Sequence, residues 1–570
     1  MTQHSHHSRE VGPGPLGPSE PFLDGLRGIL GAQHVLTRPA DTERFRRGWR
    51  SGEGEAEAVV RPGTLLEFWR ALQLCVEAGR IVIVQAANTG LTEGSTPSGI
   101  YGRPVVIIST LRLRSIQPIL GGEQVVCQTG ATLHKLEQTL DPYGRDPHSV
   151  IGSSCLGASV VGGVCNNSGG SLVRRGPAYT ELALFARLEG NGRLRLVNNL
   201  GIRLGNDPET ILRRLDAGDI RPEDVDPAAG PASDRDYALR VRDVDAGSPS
   251  RFNADPGRLH EASGCAGRLA VLAVRLDTFP RPKGSEVLYV GTNSPEALRD
   301  LRRRLLTELD PLPILGEYIH REAFDHAARY GRDTRLFIQW FGTQRMPGLF
   351  ALKGWADARL RKVRLLPADP TDRLLQLAGR LAPGRLPRQL TAFRDRFEHH
   401  LILKVEDPAG PAERILDETV GRDGWFRCTP QEGATALLHR FAVAGAAVRF
   451  EAMHRRETGG LVALDVALRR NDRDWIKPVP EAMRDQVAAT LAYGHFLCHV
   501  FHLDYVLKRG ADPHAFKEGM LRMLDEHGAE YPAEHNVGHL YTAKPQLAGF
   551  YESLDPLRRF NPGIGGTPRG

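Results

Sequence analysis

Two glycine-rich stretches hold the residue types that bear most directly on chemistry in this 570-residue chain. The first reads Gln85-Ala86-Ala87-Asn88-Thr89-Gly90-Leu91-Thr92-Glu93-Gly94-Ser95-Thr96-Pro97 and follows the apolar run Ile81 to Val84. The second reads Gly152-Ser153-Ser154-Cys155-Leu156-Gly157-Ala158-Ser159-Val160-Val161-Gly162-Gly163 and continues into Asn166-Asn167-Ser168-Gly169-Gly170-Ser171. Small residues at this density leave backbone N–H groups uncovered, so a phosphate or a flat ring can approach the main chain closely. We read both stretches as loops that bind FAD.

The elements around them must hold the loops in place. Ala58-Val59-Val60-Arg61-Pro62 reads as a strand, and Thr64 is a plausible N-cap for a helix through Glu77 with Leu65, Trp69, Leu72 and Val76 on its apolar stripe. The strand Ile81–Val84 then delivers the first loop. A Rossmann fold is disfavoured, because no GxGxxG opens a helix directly after that strand. Further strands are expected at Val105–Ser109 and Gln124–Thr129, with a helix over Ala131–Leu140. Leu182–Leu188 and Leu194–Asn198 bracket Gly190-Asn191-Gly192, a hairpin signal. Later in the chain, Ala434–Ala447 and Pro480–Val500 read as helices, and Leu401–Val405 and Leu461–Leu468 as strands.

A chain of this length calls for more than one core. Charged and apolar fractions of 25% and 41% are those of an ordinary soluble globular protein, and a net charge of +6 says little until its distribution is seen. The seven cysteines (75, 127, 155, 165, 265, 428 and 498) are scattered and contain no CxxC pair, which fits a reducing compartment and argues against a disulfide framework. Residues 1–21 are rich in His, Ser, Pro and Gly without an apolar core, so a disordered tail is expected rather than a signal peptide. No uncharged apolar run reaches the roughly 18 residues of a membrane span, so any membrane contact is expected to be peripheral.

The order of these features resembles a known family. The strand, the Ala-Asn-Thr-Gly loop, the second Gly/Ala/Asn loop and the turn Ser263-Gly264-Cys265-Ala266-Gly267 before an Ala-Val strand resemble the vanillyl-alcohol-oxidase/PCMH-type FAD fold. The runs Ala86–Pro97, His148–Tyr179, Ser263–Thr278, Glu534–Tyr541 and Asn561–Gly565 are similar to those of the bacterial quinone-dependent, respiratory D-lactate dehydrogenases. The resemblance implies an α+β architecture with an FAD-binding domain, an α+β cap and a basic, mostly helical membrane-contact insertion. The expected divisions are an FAD-binding domain over 22–277 (PCMH-type core about 52–222), the cap over 278–319 and 397–528, the insertion over 320–396, and a C-terminal segment, 529–570, returning to the FAD-binding domain. Carried over by position, the flavin contacts fall on Ala86, Ala87, Asn88, Thr89, Gly90, Gly94, Ser95, Gly152, Ser159, Gly169 and the backbone of Val271.

Residues 321 to 396 hold 16 Lys/Arg against 7 Asp/Glu, interleaved with Leu336-Phe337-Ile338, Trp340-Phe341 and Trp355. Basic residues beside Trp and Phe suit an anionic bilayer surface. A solvated basic face and a nucleic-acid surface are the alternatives. The family resemblance favours the membrane, and no nucleic-acid partner is expected.

The same resemblance supplies the chemistry. Glu534-His535-Asn536-Val537-Gly538 resembles the Glu-His-Gly-Ile-Gly motif of flavin-dependent 2-hydroxy-acid dehydrogenases, where the histidine is the base, and a histidine suits that task because it titrates near neutral pH. His495 and His502 match the spacing of two metal-binding histidines in related 2-hydroxyglutarate and glycolate dehydrogenases, and Glu534 matches their third ligand. A divalent metal such as zinc there would polarise the substrate hydroxyl. The relatives have Gly-Asp-Gly-Asn between the two histidines, whereas this chain has the bulkier Phe496-Leu497-Cys498-His499-Val500. A metal site and a set of hydrogen-bonded active-site histidines therefore stand as alternatives. Arg440 matches an arginine that would hold the substrate carboxylate, with Arg469 and Arg470 as competitors.

The expected activity is oxidation of D-lactate to pyruvate by non-covalently bound FAD, with electrons passed to ubiquinone or menaquinone at the cytoplasmic face of the inner membrane. Another D-2-hydroxy acid is the nearest rival substrate. A catalytically silent flavin-fold protein that binds lipid or nucleic acid is the rival from another class.

Overall fold

The computed structural model describes residues 20–49, 51–148, 157–342, 345, 356, 370–382 and 384–569. The expectations for Gly152, for most of the N-terminal tail and for Trp355 lie outside the described residues.

A four-stranded sheet carries the first glycine loop. Its strands Ala58–Val60, Val105–Ser109 and Ile81–Gln85 are parallel neighbours, and Val35–Leu36 closes one edge. These strands are almost continuously apolar because a parallel sheet is covered on both faces. The helix Leu65–Glu77 packs on it, capped by the Thr64 hydroxyl, which accepts from Glu67 N at 3.0 Å. A second, antiparallel sheet orders Ile116–Ile119, Gln124–Gln128, Ala270–Asp277, Ala183–Leu188 and Leu194–Asn198. The predicted hairpin forms there, with Leu188 opposite Leu194.

The largest sheet has seven antiparallel strands, in the order Trp425–Arg427, Ser285–Thr292, His399–Glu406, Leu315–His320, Val487–His495, Val500–Lys508 and Thr458–Ala467. The chain leaves it at His320 and re-enters at His399, which are directly paired. Between them lie helices that include Arg321–Tyr330, Arg332–Phe341, Pro370–Leu381 and Arg388–Arg396.

One helical expectation holds with a break and another fails. Ala434–Ala447 is divided between Pro430–Phe441 and Val443–Met453, which meet at Ala442. Pro480–Val500 is largely strand. Only Glu481–Arg484 is α-helical, and Val487–His495 pairs on both sides. Ala488, Ala489 and Ala492 favour a helix locally, but Ala489, Leu491 and Tyr493 are buried at every second position. Cross-strand pairing overrides propensity here.

Candidate active site

Strand register builds a row of polar side chains across the large sheet. Glu317 stands opposite His495, and His502 stands opposite Asp465. The two middle strands are joined by a tight hairpin in which His495 pairs with Val500 and Tyr493 with His502. His495 and His502 are thus diagonal neighbours on one face, with ring centroids 5.3 Å apart. The turn between them is supplied by these bulkier residues themselves, through a short 3₁₀ segment, Phe496–Cys498, and His499 at a left-handed φ of 59°. The His499 ring is fixed by a 2.8 Å hydrogen bond between Nδ1 and Arg469 O. At Gly494 a Cβ would come within 2.3 Å of Val500 O, so the strands can close only on glycine.

Glu534 and His535 reach this row from the C-terminal segment. That segment runs beside the strand Thr458–Ala467, where Ala467 and Glu530 exchange backbone hydrogen bonds of 2.8 and 2.9 Å. Glu534 N then donates to Asp465 Oδ2 at 2.7 Å. The Glu534 carboxylate lies 3.1 Å from His495 Nε2 and 3.9 Å from His502 Nε2, and it accepts from Arg251 Nη2 at 2.8 Å. His495 Nδ1 contacts Glu317 Oε1 at 2.6 Å, and Arg440 Nη2 lies 2.9 Å from Glu317 Oε2. Asp465 faces both remaining histidines, 3.4 Å from His502 Nδ1 and 3.9 Å from His535 Nε2.

This cluster is buried yet charged. Burial alone would raise all three carboxylic acids, but the nearby cations reverse the shift. His495 and Arg251 hold Glu534 well below the usual carboxylate range. His495 and Arg440 lower Glu317, and His502 and His535 lower Asp465. Burial opposes charge on His495 as well, but Glu317 and Glu534 on either side raise it to about 10.

The glycine loops meet the same C-terminal segment. His539 N donates to Thr92 O (2.9 Å), Asn536 Nδ2 to Asn166 Oδ1 (2.9 Å), and Asn561 Nδ2 to both Gly94 O and Ala266 O (2.8 Å each). Three glycine-rich segments are therefore tied to the C-terminal segment by two asparagines. A Cβ at Gly169 would lie 2.6 Å from Glu534 Oε1, which sets the second loop directly against the charged cluster. Ala86, Ala87, Asn88 and Thr89 are half-buried and Gly90 is exposed. No atom of the described residues lies within 4 Å of where a Gly90 Cβ would be, so the main chain there faces open space. Asn88 (φ 53°) uses its side chain on the loop itself, donating to Arg47 O and accepting from Ser95 Oγ and Thr96 Oγ1. Ser159 caps the helix Val160–Cys165, and Val271 is buried beside a register shift in its strand.

His495, His502, Glu534 and His535 therefore converge, with Gly169 alongside and Arg440 one residue removed, behind Glu317. Arg469 and Arg470 sit elsewhere, bonded to backbone carbonyls such as Gly528 O and Ser248 O. Sequence reasoning missed Glu317, Asp465, Arg251, Asn536 and Asn561. A signal existed for the first two, since each is the only acid in a mainly apolar strand, Leu315–His320 and Thr458–Ala467.

Comparison with known proteins agrees with this construction. A family model described as FAD binding domain matches residues 56–188, and one described as D-lactate dehydrogenase, membrane binding matches residues 287–570. No helix among the described residues is long and apolar enough to cross a membrane. The solved structure of p-cresol methylhydroxylase with substrate bound superposes at a TM-score of 0.53 with 12% identity, covering 96% of each chain. That likeness establishes the vanillyl-alcohol-oxidase/PCMH-type fold. The quinone-dependent D-lactate dehydrogenase of Escherichia coli (strain K12) is 54% identical over 96% of this chain and 97% of its own length. Its counterpart in Haemophilus influenzae is 52% identical over 96% and 98%. This chain belongs to the quinone-dependent D-lactate dehydrogenase family.

Proposed function

We propose that the protein oxidises D-lactate to pyruvate and passes the electrons through FAD to a membrane quinone, ubiquinone or menaquinone. The observation that carries this reading is the meeting of Glu534-His535, the His495/His502 pair and the glycine loops at one place. The family relationship supports the substrate and the acceptor.

Bound FAD supplies the acceptor for the α-hydrogen and its electron pair. The chain's own residues handle the rest. His535 takes the hydroxyl proton on its imidazole, and Asp465 stabilises the imidazolium that results. Arg440 anchors the substrate carboxylate. It is held over the Tyr493 ring (4.6 Å) and beside Glu317, and its buried Nε–H has no acceptor among the described residues. Arg251 fixes Glu534, and Glu317 fixes the His495 ring. The flavin contacts proposed are Ala86, Ala87, Asn88, Thr89, Gly90, Gly94, Ser95, Ser159, Gly169 and Val271, with Gly152.

His495, His502 and Glu534 form a set that would hold a divalent metal such as zinc. One ligand atom from each lies within 4.8 Å of the others. The 3.1 and 3.9 Å separations from Glu534 Oε2 are close to those of donors sharing an ion at about 2.0–2.2 Å. Glu317 on the far nitrogen of His495 is the carboxylate partner that metal-bound histidines usually have. Such an ion would polarise the substrate hydroxyl.

The domain division proposed is FAD-binding over 22–277 with 529–570, cap over 278–319 and 397–528, and membrane insertion over 320–396. The insertion would dock on anionic phospholipid at the cytoplasmic face of the inner membrane. The test is quinone reduction by holoenzyme on vesicles with a panel of D-2-hydroxy acids. D-Lactate should give the highest kcat/KM, and preference for another member would reassign the substrate.

A further inference from the structure

We propose that the helix Pro370–Leu381 lies in the plane of the membrane interface with Leu374, Leu377 and Leu381 inserted below the headgroups. The proposal rests on the membrane reading of the insertion and changes its physics from surface charge alone to charge plus apolar insertion.

The helix turns three of its four leucines outward. Leu374, Leu377 and Leu381 are 67%, 54% and 77% exposed, and their spacing puts them on one face. The inward face carries Thr371, Gln376 and Gly379, with the half-buried Leu375 among them. Gln376 Nε2 donates to Arg329 O at 2.8 Å, at the end of the helix Arg321–Tyr330. A Cβ at Gly379 would stand 3.3 Å from Asp333 N, so the glycine admits close approach to the helix Arg332–Phe341. The orientation is therefore fixed by polar and small contacts, and the leucines face outward as a consequence of specific packing.

Trp340 and Phe341, at the end of that neighbouring helix, are 53% and 47% exposed. The exposed basic residues Arg345, Arg373, Arg385 and Arg388 belong to the same insertion. Leucines and aromatics beside arginines match an anionic bilayer in charge and polarity, with the apolar groups reaching the acyl boundary and the guanidinium groups the phosphates. Twelve residues make a helix of about 18 Å, too short to span, so it lies flat.

The test uses holoenzyme with Leu374, Leu377 and Leu381 replaced together by Gln, and separately with Arg373, Arg385 and Arg388 replaced by Gln. Co-sedimentation is measured with phosphatidylcholine vesicles, with and without phosphatidylglycerol, at low and high salt. Wild type should keep a salt-resistant fraction on the anionic vesicles. The leucine variant should lose that fraction at least tenfold while D-lactate oxidation by a soluble acceptor stays at wild-type level. The arginine variant should lose mainly the salt-sensitive part. If the leucine variant binds like wild type and salt removes all binding, insertion is wrong and surface charge alone holds the protein. If the leucine change alters oligomeric state and leaves vesicle binding untouched, the face is a contact between copies and the proposal also falls. Wild type that binds neither vesicle would remove the membrane reading itself.

Discussion

Glu317 and His495 stand directly opposite each other on adjacent strands, with Glu317 Oε1 2.6 Å from His495 Nδ1. The contact orients the histidine so that its other nitrogen faces Glu534, 3.1 Å away. Glu317→Gln keeps the shape and removes the charge. We expect kcat with a soluble acceptor to fall about 10- to 100-fold while the bound-flavin spectrum is unchanged. Wild-type kcat would mean that His495 needs no charged partner.

His535→Gln should abolish turnover and leave FAD bound, since general-base catalysis contributes about 10²- to 10⁴-fold. Asp465→Asn should produce a smaller loss and shift the pH–rate profile, because Asp465 faces His535 at 3.9 Å. An unchanged profile would separate Asp465 from the base.

Arg440 sits against Glu317 and is itself buried. Arg440→Lys preserves the ion pair but loses the planar fork. KM for D-lactate should rise about tenfold, equivalent to about 1.4 kcal/mol, with kcat less affected. An unchanged KM would confine Arg440 to a structural pairing with Glu317.

Metal analysis of holoenzyme should find one divalent ion per flavin, removable by a chelator and absent from His495→Ala. Fully active metal-free enzyme would leave His495, His502 and Glu534 as a hydrogen-bonded cluster only.

Four strands had to be paired before this site existed. The glycine loops were legible because their chemistry is local: small residues expose main chain wherever they occur. Glu534-His535 was legible as a contiguous motif. The partnership of His495 with His502 came only from the family resemblance and not from any local pattern, because it depends on a strand whose alanines read as helix and on a turn formed by His499. Glu317 and Asp465 carried no motif, and only cross-strand register brings them to the histidines. Arg251 is 283 positions from Glu534, and a buried pair at that separation leaves no local pattern.

Buried histidines away from the site should shape acid stability. His400 and His439 are both pushed down to about 3, His400 by burial and the nearby His320 and His399, His439 by burial and Arg335. Below about pH 6.5 the unfolded chain binds protons on these rings that the folded protein refuses. Stability should therefore fall as the pH drops from 6.5 toward 4, by about 1.4 kcal/mol per pH unit for each such ring. His400 packs between Tyr289 and Phe324, so His400→Phe should fit and flatten the slope of denaturation midpoint against pH. Parallel slopes for the two proteins would contradict this.

Anaerobic mixing of the flavin-loaded enzyme with D-lactate tests the central claim most directly. The visible flavin band should bleach within the turnover time, remain unchanged with L-lactate, and remain unchanged with D-lactate in His535→Gln. A band that D-lactate leaves intact in the wild-type enzyme, or that both enantiomers bleach equally, would contradict it.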